Sequence, residues 1–251
     1  MMRFDVLTIF PSLFESVFNK TVIGKAREKG IIEIAVHDIR EYTTDKHRTT
    51  EDLPYGGGPG MVMKPEPIFR GVRDIKEKYG DGFVVLLTPA GRLFDSSIAK
   101  ELAERGHLIL ICGRYEGVDG RVSEYLADME LSIGDYVLTG GEIPAMVVVD
   151  AVSRFVPGVV GKEESVRNDS FEYGILEAPP YTRPADFEGM KVPEILLSGH
   201  HRKIWEFRVK EGLRRTLRYR PELLNKADLP DEYRKILREV LSEEKEGENG
   251  S

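Results

Sequence analysis

Three consecutive segments decide the fold: Phe83-Val-Val-Leu-Leu87, Asp95-Ser-Ser-Ile-Ala-Lys-Glu-Leu-Ala-Glu-Arg-Gly106 and Leu108-Ile-Leu-Ile-Cys112. The first and third are short and apolar on both faces, as strands are when a sheet is covered on both sides. The middle one opens on a capping aspartate and stops at a glycine, which marks a helix. Strand, helix and strand in this order form a parallel crossover unit. Further strand candidates at Phe4–Ile9 and Ile31–Ile39 extend it to a mostly parallel α/β sheet over residues 1–160.

Past Phe155 the pattern changes. Val156-Pro157-Gly158 stops a helix, and a polar stretch follows through Glu163–Ser170 to Ala178-Pro179-Pro180. Residues 161–175 are therefore expected to be an interdomain linker, long enough by loop-length norms to carry function. Residues 176–251 are expected to form a small α-helical domain. There Trp205, Val209, Leu213 and Leu217 recur at helical spacing, while Pro221 and Pro230 break the chain into short helices. The acidic tail Ser242–Ser251 is expected to fray.

At 251 residues the chain can hold sizeable cores, and its 41% hydrophobic and 31% charged content is that of a globular protein. No apolar run approaches the ~18 residues of a membrane span. The N-terminus lacks a signal-peptide layout, and the single cysteine, Cys112, excludes an internal disulfide and a cysteine metal cluster. A cytoplasmic protein without a membrane partner is expected. The net charge of −7 is unevenly spread: Arg202, Lys203, Arg208, Lys210, Arg214, Arg215, Arg218 and Arg220 face only Glu206 and Glu211 within their own segment. Lys203, Lys210, Arg214 and Arg218 share one helical face. A solvated face is the plain reading, but the scarcity of nearby acid favours nucleic-acid phosphate. Trp205 reads as core.

Glycine-rich loops follow the strand candidates: Thr88-Pro-Ala-Gly91, Gly113-Arg-Tyr-Glu-Gly-Val-Asp-Gly120 and Ser132-Ile-Gly-Asp-Tyr-Val-Leu-Thr-Gly-Gly-Glu142. Any one of them is an ordinary turn. Three at successive strand ends point to a ligand site, because open α/β sheets bind ligands at the carboxyl ends of their strands. None is a P-loop or a dinucleotide fingerprint, so kinases, P-loop NTPases and ordinary dehydrogenases are disfavoured. His200 and His201 are adjacent and diverge, so they suit a helix start or a phosphate contact better than a metal; no metal ligand set is expected. The aperiodic segment from Arg40 to Met63 reads as substrate-contacting or flexible. On the residues alone, Arg154 complements a helix end, Asp169 caps or links, and Glu116 is a loop acid.

The strings Asp45-Lys-His-Arg-Thr, Pro54-Tyr-Gly-Gly-Gly-Pro-Gly-Met61, Cys112-Gly-Arg-Tyr-Glu-Gly117 and Ser132 to Glu142 closely resemble one family. Arg154-Phe-Val-Pro-Gly158, Asp169-Ser-Phe171, Tyr181-Thr-Arg-Pro184 and Ser198-Gly-His-His201 resemble the same one. It is the bacterial tRNA (guanine-37-N1)-methyltransferases of the SPOUT class, and the match runs in order from Phe4 to about Leu241. The resemblance implies a knotted, mostly parallel α/β sheet with a small C-terminal α-helical domain. It implies methyl transfer from S-adenosyl-L-methionine to N1 of guanosine 37 in the tRNA anticodon stem-loop, by a homodimer whose active site lies at the interface. Carried over, the cofactor contacts are Leu87, Gly113, Ser132, Ile133, Gly134, Asp135, Tyr136, Val137, Leu138, Gly140 and Gly141. The catalytic residues are Asp169, Arg154 and Glu116, and there is room for Mg2+. The competing expectations are another SPOUT methyltransferase, acting on a ribose 2′-hydroxyl or on rRNA, and an RNA-binding module without catalysis.

Overall fold

A computed structural model describes residues 1–160, 170, 171 and 173–249, with 244–249 described by their backbone. The chain divides into two compact units, Met1–Glu163 and Glu164–Ser251. No helix among the described residues is long and apolar enough to cross a membrane.

The first unit is built on a five-stranded sheet in the order β2-β1-β6-β5-β7, every neighbouring pair parallel. Its strands are β1 (Met2–Thr8), β2 (Ile32–Asp38), β5 (Phe83–Leu93), β6 (His107–Cys112) and β7 (Met129–Ser132). Short pairs β3 (Glu51–Asp52) and β4 (Val62–Met63) form a separate antiparallel ladder inside the aperiodic segment. Period-two alternation supplies a core on each face. Leu108, Leu110 and Cys112 of β6 join Phe4, Val6, Val85 and Leu87 on one side. They pack there with α1 (Glu15–Phe18), α2 (Thr21–Glu28), α4 (Ser96–Ala103) and α6 (Glu142–Ser153). Ile109 and Ile111 join Leu7, Val84 and Leu86 on the other, under α3 (Pro65–Tyr79) and α5 (Gly120–Tyr125). This double cover is why the central strands read as unbroken apolar runs.

The expected crossover is present. Asp95 caps α4, its carboxylate accepting from the Ile98 amide at 3.0 Å. Two features differ from the sequence reading. β5 continues past Leu87 to Leu93, its ladder with β7 jumping from Leu87 to Arg92 so that Thr88–Gly91 bulges out. β7 itself has only four residues, too few to show a period.

A buried polar cluster ties β1, β2 and β6 together. The Asp5 carboxylate, fully buried, accepts from Arg3 at 2.6 and 2.9 Å, from His37 Nε2 at 2.7 Å and from His107 Nε2 at 2.8 Å. Arg3 also pairs with Glu33 at 2.6 Å and lies 3.4 Å from the centre of the Tyr79 ring. Burial pushes the Asp5 carboxyl up, but the hydrogen bonds from His107, His37 and Arg3 outweigh it and hold it well below the usual carboxylate range.

In the second unit a hairpin of β8 (Asp186–Phe187) and β9 (Met190–Lys191) precedes α7 (Glu194–Leu197), α8 (His201–Tyr219) and α9 (Asp231–Asn249). Val209, Leu213, Ile236 and Val240 form its core, with Trp205 packed edge-on to Tyr233 at 5.6 Å. Trp205 is thus a core residue, as its spacing suggested. Thr216, buried on α8, accepts from the Leu176 amide at 2.9 Å and donates to the Gly212 carbonyl at 2.8 Å, anchoring the incoming chain. Fraying expected from Ser242 is not seen over residues 242–249, where α9 continues to Asn249; nearer its start Tyr233, Ile236, Leu237 and Val240 give the helix an apolar face to bury. The linker expected at 161–175 lies largely outside the described residues.

Candidate active site

The Thr88–Gly91 bulge of β5 and the loops after β6 and β7 converge around a cavity of about 370 Å³. Of the carried-over cofactor set, Leu87, Gly113, Ser132, Ile133, Gly134, Tyr136, Val137, Leu138, Gly140 and Gly141 line it, and so does Glu116. Asp135 belongs to the same loop but is not on the wall. Leu86, Thr88, Pro89, Arg114, Thr139 and Glu130 complete much of the lining. That size falls in the usual range for small-molecule sites, ~300–1,000 Å³.

Backbone contacts hold the loops. The Gly141 amide donates to the Gly113 carbonyl at 2.9 Å, and Arg114 and Gly140 form an isolated antiparallel bridge. A Cβ on Gly141 would lie 2.7 Å from Cys112 Cα and 3.0 Å from the Gly113 nitrogen, so only glycine lets these backbones touch. Gly141→Ala is therefore expected to push the Ser132–Gly141 loop off β6 and weaken binding of the methyl donor that the resemblance implies by about tenfold or more, since overpacking costs about 1–3 kcal/mol. Calorimetric titration checks this, and unchanged affinity in a folded variant would count against it. Within the same loop, the Tyr136 hydroxyl donates to the Ile133 carbonyl at 3.2 Å and Ser132 Oγ to the Gly134 carbonyl at 3.0 Å.

The aperiodic segment roofs the middle loop. The Glu116 amide donates to the Met61 carbonyl at 3.0 Å, and the Met63 amide to the Gly117 carbonyl at 2.9 Å. The Glu116 side chain lies against Gly60, which has φ +82° and whose absent Cβ would sit 2.6 Å from Glu116 Oε1. A run that gave no periodic signal thus places one candidate catalytic residue. Tyr115 donates to Glu51 at 3.4 Å; burial, followed by the Glu51 charge, pushes its phenol up.

Of the other two candidate catalytic residues, Arg154 is not on the cavity wall. Arg154 caps the C-terminal end of α6, whereas Gly141 and Pro144 at the opposite end line the cavity; twelve helical residues, about 18 Å, intervene. Asp169 lies outside the described residues. Among the described residues no three His, Cys, Asp or Glu side chains are close enough to hold a metal ion.

On α8, Lys203 and Arg218 are exposed, while Lys210 and Arg214 are partly covered. The reading that only Glu206 and Glu211 oppose the basic run needs correction, because α9 brings distant acid to it. Glu243 accepts from Lys210 at 2.5 Å and from Arg214 at 2.7 Å, and Glu232 pairs with Arg202 at 3.1 Å. His200 is the residue before α8 and His201 its first, so the pair does start the helix.

Sequence reasoning overlooked Thr8, Arg114 and Glu142, which meet behind the cavity wall. Only Glu142, an acid opening an apolar helix, left any trace in the sequence.

A family profile described as "tRNA (Guanine-1)-methyltransferase TrmD" matches residues 2–226. A tRNA (guanine-N(1)-)-methyltransferase of Dictyoglomus turgidum is 56% identical over 246 residues, covering 98% of this chain and 99% of that one. One of the same description from Geobacillus kaustophilus is 52% identical over 238 residues, covering 95% and 98%. The crystal structure of tRNA (m1G37) methyltransferase from Aquifex aeolicus superposes with a TM-score of 0.73 at 41% identity, covering 90% of this chain and 95% of that one.

Proposed function

The chain belongs to the tRNA (guanine-1)-methyltransferase family of the SPOUT class, and from that premise we propose that its strand-end cavity is where S-adenosyl-L-methionine meets N1 of guanosine 37. Transfer of a methyl group to that nitrogen is its activity. The carrying observation is the cavity itself, lined by three strand-end segments, two of which meet where the Gly141 amide bonds the Gly113 carbonyl and a Cβ on Gly141 would have no room.

S-adenosyl-L-methionine supplies a methyl group on a sulfonium, already electrophilic when bound. The chemical difficulty lies with guanine N1, which carries a proton at neutral pH and is a poor nucleophile until it leaves. Asp169 is assigned to accept that proton as general base. Arg154, permanently cationic, is assigned to hold O6 as negative charge develops there, by a charge-assisted hydrogen bond. Glu116, set by Gly60 and Met61, lies on the cavity wall and is assigned to the side that receives the base. Alignment of the reacting atoms can contribute ~7–11 kcal/mol. Reaching N1 requires the base to leave its stack. Any Mg2+ would be held by Glu116 or Glu130 with waters, the one- or two-carboxylate set this ion takes, and would neutralise charge on RNA oxygens.

A homodimer completes the site in this reading. Arg154 stands a helix length from the cavity of its own protomer, α6 leaves Ile143 and Val147 exposed, and the Pro11–Phe14 turn packed against α6 leaves Leu13 exposed. A two-fold contact on that face buries the apolar patch and brings Arg154 of one protomer to the cavity of the other. Ile133→Trp, which fills the cavity, and Arg154→Ala should each be inactive alone and recover activity on mixing; no recovery would place both groups in one protomer. The cytoplasm, where tRNA is available, is the assigned site of action.

The α8 face is assigned to phosphates of the anticodon stem, which position without reading sequence. Replacing Lys210 and Arg214 by alanine should reduce the slope of log affinity against log salt by about 1 per lost contact. Glu243 competes with phosphate for both cations, so Glu243→Gln should tighten tRNA binding a few-fold at low salt. Filter binding over a salt series decides both, and an unchanged slope would remove these residues from the RNA surface.

The decisive assay is methyl transfer to tRNA transcripts bearing G or A at position 37, followed by nucleoside mapping. N1-methylguanosine at 37, absent from the A37 transcript, is expected. Methylation of a ribose 2′-hydroxyl or of rRNA, or binding without turnover, would overturn the assignment.

A further inference from the structure

Glu142 neither lines the cavity nor touches any group assigned to the reaction, yet its side chain is only 1% exposed. Its two oxygens are used in different directions. Oε1 accepts from Thr8 Oγ1 at 2.8 Å, and Oε2 from Arg114 Nε at 2.9 Å. Thr8, fully buried at the end of β1, also accepts from the Phe10 amide at 2.9 Å. Arg114 belongs to the loop after β6, donates through Nη1 to the Thr139 carbonyl at 3.2 Å, and lies 4.7 Å from the centre of the Phe10 ring. One carboxylate thus joins the end of β1, the loop after β6 and the start of α6.

The space this pair fills is reserved for it. A Cβ on Gly140 would sit 2.3 Å from Arg114 Nε and 2.6 Å from Glu142 Oε2. Arg114, Thr139, Gly140 and Gly141 all belong to the cavity wall. A buried ion pair is a poor source of net stability, but it imposes one geometry on the groups it joins. At the first turn of α6 the helix dipole also favours a carboxylate.

We propose that Glu142 is a positioning residue for the methyl donor: held by Thr8, it orients Arg114, and through Arg114 it fixes the Thr139–Gly141 backbone against Gly113 before the donor arrives. The inference rests on reading the cavity as the donor site. It places part of the affinity for S-adenosyl-L-methionine in two side chains, Thr8 and Glu142, that never contact it.

The test uses full-length enzyme carrying Glu142→Gln, Glu142→Asp, Thr8→Val or Ile133→Trp. Affinity for S-adenosyl-L-homocysteine is measured by calorimetry, KM and kcat by methyl transfer, and folding by thermal denaturation. Loss of a charge-assisted hydrogen bond predicts that Glu142→Gln raises the dissociation constant and the KM for S-adenosyl-L-methionine by about 10-fold or more, with kcat at saturation within about 3-fold. Glu142→Asp should recover part of that affinity, and Thr8→Val, which removes only a hydroxyl, should cost about 3-fold. A purely structural role would move the melting temperature and leave affinity of the folded protein unchanged. If Ile133→Trp weakens binding while folded Glu142→Gln does not, the positioning role is overturned and the cavity assignment stands. If Ile133→Trp leaves binding unchanged, the cavity assignment itself fails. Should Glu142→Gln not fold, Thr8→Val decides: unchanged affinity there overturns the proposal.

Discussion

Asp169→Asn is expected to lower single-turnover methyl transfer to guanosine 37 by about 10²–10⁴-fold, the usual contribution of a positioned general base. Affinity for the methyl donor should stay within about twofold, since asparagine keeps the shape and an acceptor oxygen but cannot take a proton. The defect should shrink as pH rises toward the range where guanine N1 ionises without help. Arg154→Ala should lower the rate at every pH, because it removes stabilisation of O6 and not the base. Rapid-quench measurement with saturating donor separates the two patterns. A variant retaining more than about a tenth of the wild-type rate would remove Asp169 as the base.

Asp5→Asn is expected to destabilise the first unit by about 3–5 kcal/mol, the cost of breaking a buried charge pair by removing one partner. The aspartate is fully buried, and its loss leaves Arg3, His37 and His107 without the carboxylate they share. Against a typical total of about 5–15 kcal/mol, this is a large fraction. The pH dependence follows from the depressed carboxyl. In the unfolded chain aspartate titrates near 3.9, so the unfolded state binds the proton first as the solution is acidified. The cluster's contribution is therefore complete above that range and lost as pH falls below it toward the folded value. Urea denaturation from pH 7 to 3 should show wild-type stability falling on the acid side and a flatter acid limb for Asp5→Asn. Parallel limbs would show that Asp5 is not the linked group.

Much of the first unit was legible because local chemistry and tertiary demand agreed. Phe83–Leu87 and Leu108–Cys112 are apolar at every position since both sheet faces are covered, and Asp95 caps α4 within its own turn. That the strand-end segments would converge was legible for the same reason: chain order alone places them at one edge of a parallel sheet, where they now line one cavity. β7 escaped because four residues carry no period, and the extension of β5 because a bulge interrupts it. The aperiodic segment gave no sign that Gly60 and Met61 would set Glu116, since those contacts span more than fifty residues. The basic run of α8 looked unopposed only because Glu232 and Glu243 reach it from α9, a helix whose acid content had masked its apolar stripe.

Composition, period and the family strings were thus sufficient for the parallel α/β unit, the helical appendage, the methyl donor and guanosine 37. They were sufficient because strand burial, capping and loop motifs are written in contiguous residues. The cavity with its wall, the separation of Arg154 from it by the length of α6, and the junction of Thr8, Arg114 and Glu142 became visible only in three dimensions. Thr8 and Glu142 stand 134 positions apart, and nothing local to either announces the other. Their hydrogen bond exists because a parallel sheet sets the end of β1 beside the start of α6, and a carboxylate buried there must find donors.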